Sequence, residues 1–296
     1  MIQERLKALR AEMEKRGITV YVVPTADFHE SEYVGDHFKA RKFITGFTGS
    51  AGTAVITLDE AGLWTDGRYF VQAENQLKDS TVTLYRMGEE GVPTVDEFVK
   101  DRLKEGGCLG FDGRVVNGTW GGKLEKIAAE KKVSMHVTED LIDLIWEDRP
   151  ALSKQPLFIL EEKYSGKSTA DKIGDLRKAM KENGADVHIL TSLYDIAWLL
   201  NIRGNDIDYV PVVLSYLVLN ETECIWFLQE EVVDDKIRAY LEENHITTKP
   251  YDAIYDYVPE IPADAVVLMN RGTVNYRIVN SLDKAKLWTN QTRRNL

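Results

Sequence analysis

Side chains able to do chemistry gather in three places along the 296-residue chain. The run FHESEYVGDHF, positions 28–38, sets His29 and His37 among Glu30, Glu32 and Asp36, types that bind a divalent metal when they converge. No scaffold of convergent ligands can be read from that run, so a solvated loop is the expectation. The remaining histidines, His136, His188 and His245, add no HExxH and no short His/Cys pairing. His136 and His188 lie in strand-like runs and read as partly buried structural residues. The second place is GFTGSAG, positions 46–52. A nucleophile elbow needs glycine two residues either side of Ser50, and Thr48 breaks it. Phosphate fingerprints fail too, because neither Gly-Lys-Ser/Thr nor GxGxxG is present there. Glycine as a turn residue is what remains: Gly46, Gly49 and Gly52 bend the chain into a strand over 53–58, residues 59–62 turn, and 63–65 return.

The third place is a pair of polar stretches, TDGRYF at 65–70 and NIRGNDIDYVP at 201–211. Asp66 reads as the cap of a helix that starts at Gly67 or Arg68. Arg68 would then stand in the first turn, where a cation opposes the helix dipole unless a carboxylate offsets it. That carboxylate could be Asp66, Glu60 or one carried by a substrate. Arg203 with Asn205, Asp206 and Asp208 fits a capped loop with a local ion pair as well as it fits a recognition loop.

The elements that must hold these stretches occur twice. ERLKALRAEMEKRG at 4–17 parallels DKIGDLRKAMKENG at 171–184, matching Leu9, Arg10, Met13 and Gly17 to Leu176, Arg177, Met180 and Gly184. In the first copy Leu6, Leu9 and Met13 form one helical stripe, and the terminal glycine suits a left-handed cap. Each helix precedes an apolar strand, TVYVVPT or DVHILTS, and then a hairpin, GTAVITLDEAGLWTD or PVVLSYLVLNETECIWFL. Three matches in one order predict two related α/β domains. The first continues through a helix over 68–77, strand TVTLYRM, a helix capped by Thr94 with Glu97, strand CLGFD, a helix after Asn117 with Trp120, Leu124 and Ile127, strand VSMHV and a last helix EDLIDLIW. DRPALSKQP, 148–156, reads as the linker. The second copy closes with strand AVVLMN, a short helix and a strand near KLWTN. Hairpins are antiparallel and strand–helix–strand crossovers parallel, so a mixed sheet flanked by helices is expected in each copy.

The net charge of −11 and pI near 5.1 argue against a nucleic-acid binder, which needs a basic surface, and disfavour anionic membranes. The charged start MIQERLKALRAEMEKRG reads as no secretory signal, and no apolar run approaches a membrane span. Cys108 and Cys224 lie in apolar runs and read as buried free thiols of a reducing cytoplasm.

Five stretches, VVPTADFHESEY, FITGFTGSAGTAVIT, GLWTDGRYF, LIWEDRP and DIAWLLNIRGNDIDYVPVVLSY, together resemble the N-terminal half of cytosolic-type Xaa-Pro aminopeptidases (aminopeptidase P) of the creatinase/prolidase-like family. The resemblance implies two tandem creatinase-like N-terminal domains, 1–152 and 153–296, and cytoplasmic localisation. In the family a pita-bread catalytic domain follows, with an Asp-Asp-His-Glu-Glu cluster holding two divalent metals, commonly manganese. The sequence stops at Leu296 before any such segment, so the catalytic domain is absent, no metal or catalytic residue is expected in this chain, and it is expected to be inactive by itself. The implied reaction is two-metal hydrolysis of the bond before proline, a constrained tertiary amide that ordinary peptidases fit poorly. The implied substrates are peptides with proline at the second position. These domains would limit access to short or unfolded peptide ends, pair subunits as a homodimer and lend wall residues, for which Arg68, Tyr69, Arg203 and Asp206 are the candidates. A prolidase-type dipeptidase or creatinase is the near alternative, but its single N-terminal domain sits poorly with the repeat. A non-catalytic creatinase-like module that binds peptides or proteins, as in a histone-chaperone subunit of similar fold, is the distant one.

Overall fold

The computed structural model describes residues 1–282 and the backbone of Leu287–Thr289. Met1–Asp27 with Asp36–Ala151 forms one compact unit, and Phe28–Gly35 with the chain from Leu152 onward forms the other.

The first unit runs α1 (Ile2–Lys15), β1 (Val20–Pro24), α2 (Ala40–Thr45), β2 (Thr53–Thr57), β3 (Ala61–Thr65), α3 (Phe70–Leu77), β4 (Thr83–Arg86), α4 (Val95–Arg102), β5 (Cys108–Phe111), α5 (Gly118–Lys131) and β6 (Ser134–His136). Its six-stranded sheet has the order β4-β3-β2-β1-β5-β6, with β2 antiparallel to β1 and β3 and the other pairs parallel. Leu6, Leu9 and Met13 of α1 bury completely against the core, as their helical spacing predicts. Gly17 takes the left-handed conformation just past the helix. The Thr94–Glu97 capping box opens α4, and Asn117 caps α5 by accepting from Trp120 N–H. The buried face of α5 is Gly118, Gly121, Leu124 and Ala128, whereas Trp120 and Ile127 stay partly exposed.

Three local expectations fail. The helix over EDLIDLIW does not form. Leu141 N–H donates to the Tyr21 hydroxyl and Ile142 N–H to Asp140, so a turn closed by Ile145 and Trp146 N–H on the Ile142 carbonyl replaces it. Gly62 is no turn residue. It pairs with Val55 inside β3, where a Cβ would come within 2.7 Å of the Trp64 and Tyr85 rings, which stack 4.1 Å apart. The third concerns Asp66. The helix after it begins at Phe70, and Asp66 closes a turn two residues earlier instead of capping that helix.

The second unit runs β7 (Phe158–Ile159), α6 (Glu162–Ser165), α7 (Thr169–Glu182), β8 (Val187–Leu190), α8 (Leu193–Leu200), β9 (Ile202–Arg203), β10 (Ser215–Asn220), β11 (Cys224–Leu228), α9 (Asp235–Glu243), β12 (Thr247–Pro250), α10 (Ile254–Tyr257), β13 (Val267–Met269), α11 (Tyr276–Ser281) and β14 (Leu287–Thr289). Its main sheet has the order β12-β11-β10-β8-β13-β14, the first unit's order strand for strand, with β10 the antiparallel member. The repeated helix residues make matching contacts. Arg10 donates to the Thr57 carbonyl at the end of β2, and Arg177 donates to the Asn220 carbonyl at the end of β10. Each repeated arginine thus ties the first helix of its unit to the turn of its hairpin. An antiparallel β7–β9 ribbon has no counterpart in the first unit's sheet and is not foreseen by the repeat.

Candidate functional site

In the first unit the polar stretches meet at the carboxyl end of β3. Asp66 accepts the Arg68 backbone N–H at 3.1 Å and its guanidinium twice, Nε at 2.9 Å and Nη2 at 2.8 Å. The partner of Arg68 is therefore Asp66; Glu60 is taken by Arg102 at 2.5 Å. The ion pair holds the Asp66 carboxyl down at about 2. Even so, the Arg68 side chain stays 71% exposed. Tyr69 lies beside it, half-buried, with its hydroxyl 2.5 Å from Ser50 Oγ and its ring edge-on to Phe47.

The glycine loop is held from behind. Arg41, buried on α2, donates from Nε to Thr25 Oγ1 at 2.9 Å, from Nη1 to the Phe47 carbonyl at 2.6 Å and from Nη2 to the Gly49 carbonyl. Burial lowers its pKa to about 10, and three oxygen acceptors take the place of a carboxylate. Gln72 and Gln76 of α3 grip Thr48 from the other side. Gly46 is left-handed at the end of α2, and a Cβ on Gly49 would come within 2.2 Å of the Phe47 ring. The loop is a braced turn whose Ser50 meets Tyr69 at the start of α3. Sequence reading passed over Arg41, because nothing in ARKFITGF distinguishes it from Lys39 or Lys42.

In the second unit Arg203 and Asp206 are not brought together as an ion pair. Arg203 Nη1 donates to the carbonyls of Ala197 and Ile202, capping the end of α8. Asp206 accepts Leu214 N–H at 2.9 Å and Gln155 N–H at 3.2 Å, which ties the segment before β7 to the start of β10. Burial pushes its carboxyl upward against those bonds. Lys172 of α7, also missed by sequence reading, buries its ammonium between the Trp198 carbonyl and Asn201 Oδ1, at 2.7 and 2.6 Å.

Residues 28–38 are not the solvated loop expected of them. His29 is buried in the second unit, with Nδ1 3.0 Å from the Thr191 carbonyl, Nε2 2.6 Å from the Tyr251 hydroxyl and its ring 4.5 Å from that of Tyr216. The Phe28 carbonyl accepts from Asn275 Nδ2. The Thr191 carbonyl can only accept, so Nδ1 carries a hydrogen and donates to it. His37 sits in the first unit against the Pro150 carbonyl at 2.7 Å. His136 and His188 are partly buried as expected, on Glu139 and on the Leu268 carbonyl. Cys108 and Cys224 are buried free thiols, and burial pushes Cys224 up to about 12. No three His, Cys, Asp or Glu side chains converge on a metal-sized site among the described residues, so those residues do not fit a two-metal centre. Among them, too, no helix is long and apolar enough to cross a membrane.

Both halves of the chain match the creatinase/prolidase N-terminal domain, over residues 5–145 and 148–294. A Coprinopsis cinerea protein named "Probable Xaa-Pro aminopeptidase P" is 41% identical over 261 residues, 88% of this chain and 42% of its own length. "Aminopeptidase P2" of Arabidopsis thaliana is 35% identical over 96% of this chain and 41% of its own. Among solved structures, the X-prolyl aminopeptidase of Caenorhabditis elegans, a cytosolic enzyme with a di-nuclear active site, superposes with a TM-score of 0.92 at 31% identity. The superposition covers 98% of this chain and 50% of that one, so the chain spans half or less of these relatives.

Proposed function

From the premise that the chain belongs to the creatinase/prolidase N-terminal domain family, we propose that it is the non-catalytic N-terminal half of a proline-specific metallo-aminopeptidase. The observation that carries this reading is the disproportion in coverage: 98% of this chain superposes on only 50% of the worm enzyme. The parent protein would remove one residue ahead of proline in the cytoplasm, as a homodimer, with two divalent metals, manganese by the family's habit, held outside the described residues.

The two units, with a boundary near 152/153, would wall the entrance to that centre and pair the subunits. Within the wall the four candidate residues divide by their contacts. Arg68 keeps its exposed guanidinium at a strand end, and with Nε and Nη2 on Asp66 its Nη1/Nη2 end can take a second carboxylate, a bidentate geometry that lysine lacks. Tyr69 stands next to it. Arg203 holds two backbone carbonyls through Nη1 and Asp206 holds two backbone N–H groups, so they would shape the wall more than touch a peptide.

The test is to assay this chain with a Xaa-Pro tripeptide and manganese, and beside it the chain continued through its downstream reading frame. Only the longer protein should turn over, and in it Arg68→Lys should lower kcat/KM about ten-fold. Turnover by the 296 residues that survives repurification overturns the division of labour. A downstream frame without Asp, Asp, His, Glu and Glu ligands makes the chain a binding module instead.

A further inference from the structure

We propose that Tyr209 is a docking knob of the second unit, and that its ring seats in an apolar slot of the polypeptide that continues beyond Leu296. The inference rests on the reading that a second half follows this chain, and not on what that half catalyses. Tyr209 tips the loop that joins α8 to β10, residues 201–214. At the matching place in its fold the first unit joins α2 to β2 by the shorter glycine loop, residues 46–52. Chain in excess of what a connection needs marks loops that bind.

Folding by itself gives no reason for a tyrosine at this tip. Tyr209 is 97% exposed, the highest value for any aromatic side chain described, and its ring and hydroxyl have no partner among the described residues. Its backbone is left-handed, with φ at +67°. Val210 N–H donates to the Ile207 carbonyl at 3.2 Å, and Asp208 is not left-handed, so the turn is of type II. Tyr209 holds its third position, which takes glycine or asparagine by preference. Three other left-handed residues lie at helix ends: Lys132 and Asn201 are caps, and His245 follows one. There the conformation closes a helix. Tyr209 ends no helix, and a bulky side chain in this region is an outlier.

The tip stands on a stiff base. Ile207 is buried, Asp206 N–H donates to the Val212 carbonyl at 3.2 Å, and the Asp206 carboxylate accepts Leu214 and Gln155 N–H. A Cβ on Gly204 would come within 2.9 Å of the Val213 side chain, so the strands of the base are packed close. A tyrosine presented on fixed backbone loses little entropy when it docks. Strain held in the resting chain asks for a partner that is always present, which a passing peptide is not. Half of the worm enzyme has no counterpart in this chain, and an equal stretch following this one would be such a partner. A covalently joined half stays at high effective concentration, so a single aromatic anchor can hold the contact closed. The slot that fits is apolar, with a hydrogen-bond partner for the phenol at its floor.

Nitration of tyrosines by tetranitromethane, read residue by residue by mass spectrometry, tests the docking. It is run on the 296-residue chain and on the chain continued through its downstream reading frame. Tyr209 should nitrate freely in the shorter protein and at least about ten-fold more slowly in the longer one, at every protein concentration. Tyr209→Gly should raise the melting temperature of the shorter protein by about 2–4 °C, because glycine relieves the left-handed turn. The same change should lower the melting temperature of the longer protein, and Tyr209→Phe, which keeps the ring, should lower it less. A longer protein without peptidase activity but with Tyr209 protected keeps the docking and ends the peptidase reading; an active one with Tyr209 fully reactive does the reverse. Four further results overturn the docking: protection already present in the shorter protein, protection that fades on dilution as a contact between copies would, a Tyr209→Gly change that destabilises the shorter protein or stabilises the longer, or a reading frame that closes at Leu296.

Discussion

Arg68 and Arg114 stand in the same three-residue frame, Asp-Gly-Arg, and burial separates them. In each frame the aspartate accepts the arginine's own backbone N–H and a forked guanidinium. Asp66 is partly exposed and its carboxyl is depressed to about 2, so its small contribution is present above the unfolded value near 4 and fades as pH falls through about 2. Asp112 is buried and its carboxyl is raised, so its ionisation costs stability at neutral pH and that cost is relieved as pH falls. Arg68→Ala should leave the melting temperature of this chain within about 1 °C. Arg114→Ala strands a buried carboxylate and should cost about 3 kcal/mol in urea unfolding. Asp206→Ala orphans two backbone N–H groups and should cost about 2–3 kcal/mol. Equal stability of the Arg114 and Arg68 variants would show that burial does not separate the two frames. Neither thiol should react with Ellman's reagent in the native protein, and both should react in guanidinium chloride.

At the scale of elements, helices are braced by cations donated from the repeated helix. Arg5 on α1 reaches the Phe43 carbonyl near the end of α2, and Lys172 on α7 reaches the Trp198 carbonyl near the end of α8. The two residues occupy matching places in the repeat, one turn before the matched Leu9 and Leu176, yet they differ in type, so comparing letters could not reveal their common task. The glycine loop is legible by contrast: glycine is the cheap residue for a left-handed turn, and Gly46 is left-handed. Gly46→Ala should cost about 1 kcal/mol, and Gly49→Ala more, because its methyl must displace the Phe47 ring. Thr94→Ala removes one half of the capping box on α4 and should cost about 1 kcal/mol. Thermal unfolding of the three variants checks the order, which fails if Gly49→Ala is as stable as the parent.

For the whole molecule, the notable departure from a simple tandem is Phe28–Gly35, which belongs with the second unit although it lies within the first copy of the repeat. His29 fills a cage of Tyr216, Tyr251 and the Thr191 carbonyl. A piece spanning 153–296 lacks this segment. It should melt several degrees below the second unit of the intact chain, and a synthetic peptide covering 26–37 should restore part of the difference by binding. A piece that melts as high as the intact chain would show that the cage is inessential.

The local features were decided by the sequence alone. The doubled helix–strand–hairpin order, the Thr94 capping box, the helix after Asn117, the glycine turn and the two buried thiols all follow from residues within a few positions of one another, where spacing determines which side chains can meet. Arg68, Tyr69, Arg203 and Asp206 were legible as polar residues at strand and helix ends, but their partners were not. Whether a charge pairs, buries or stays in water depends on what distant segments bring to it. Only the tertiary structure turned Asp206 onto Leu214, put Arg41 behind the glycine loop, unwound EDLIDLIW beneath Tyr21 and buried His29. It also packed Arg149 against Asp140 and the His37 carbonyl, since burial is a property of packing between residues far apart in the chain, and no short stretch of sequence contains it.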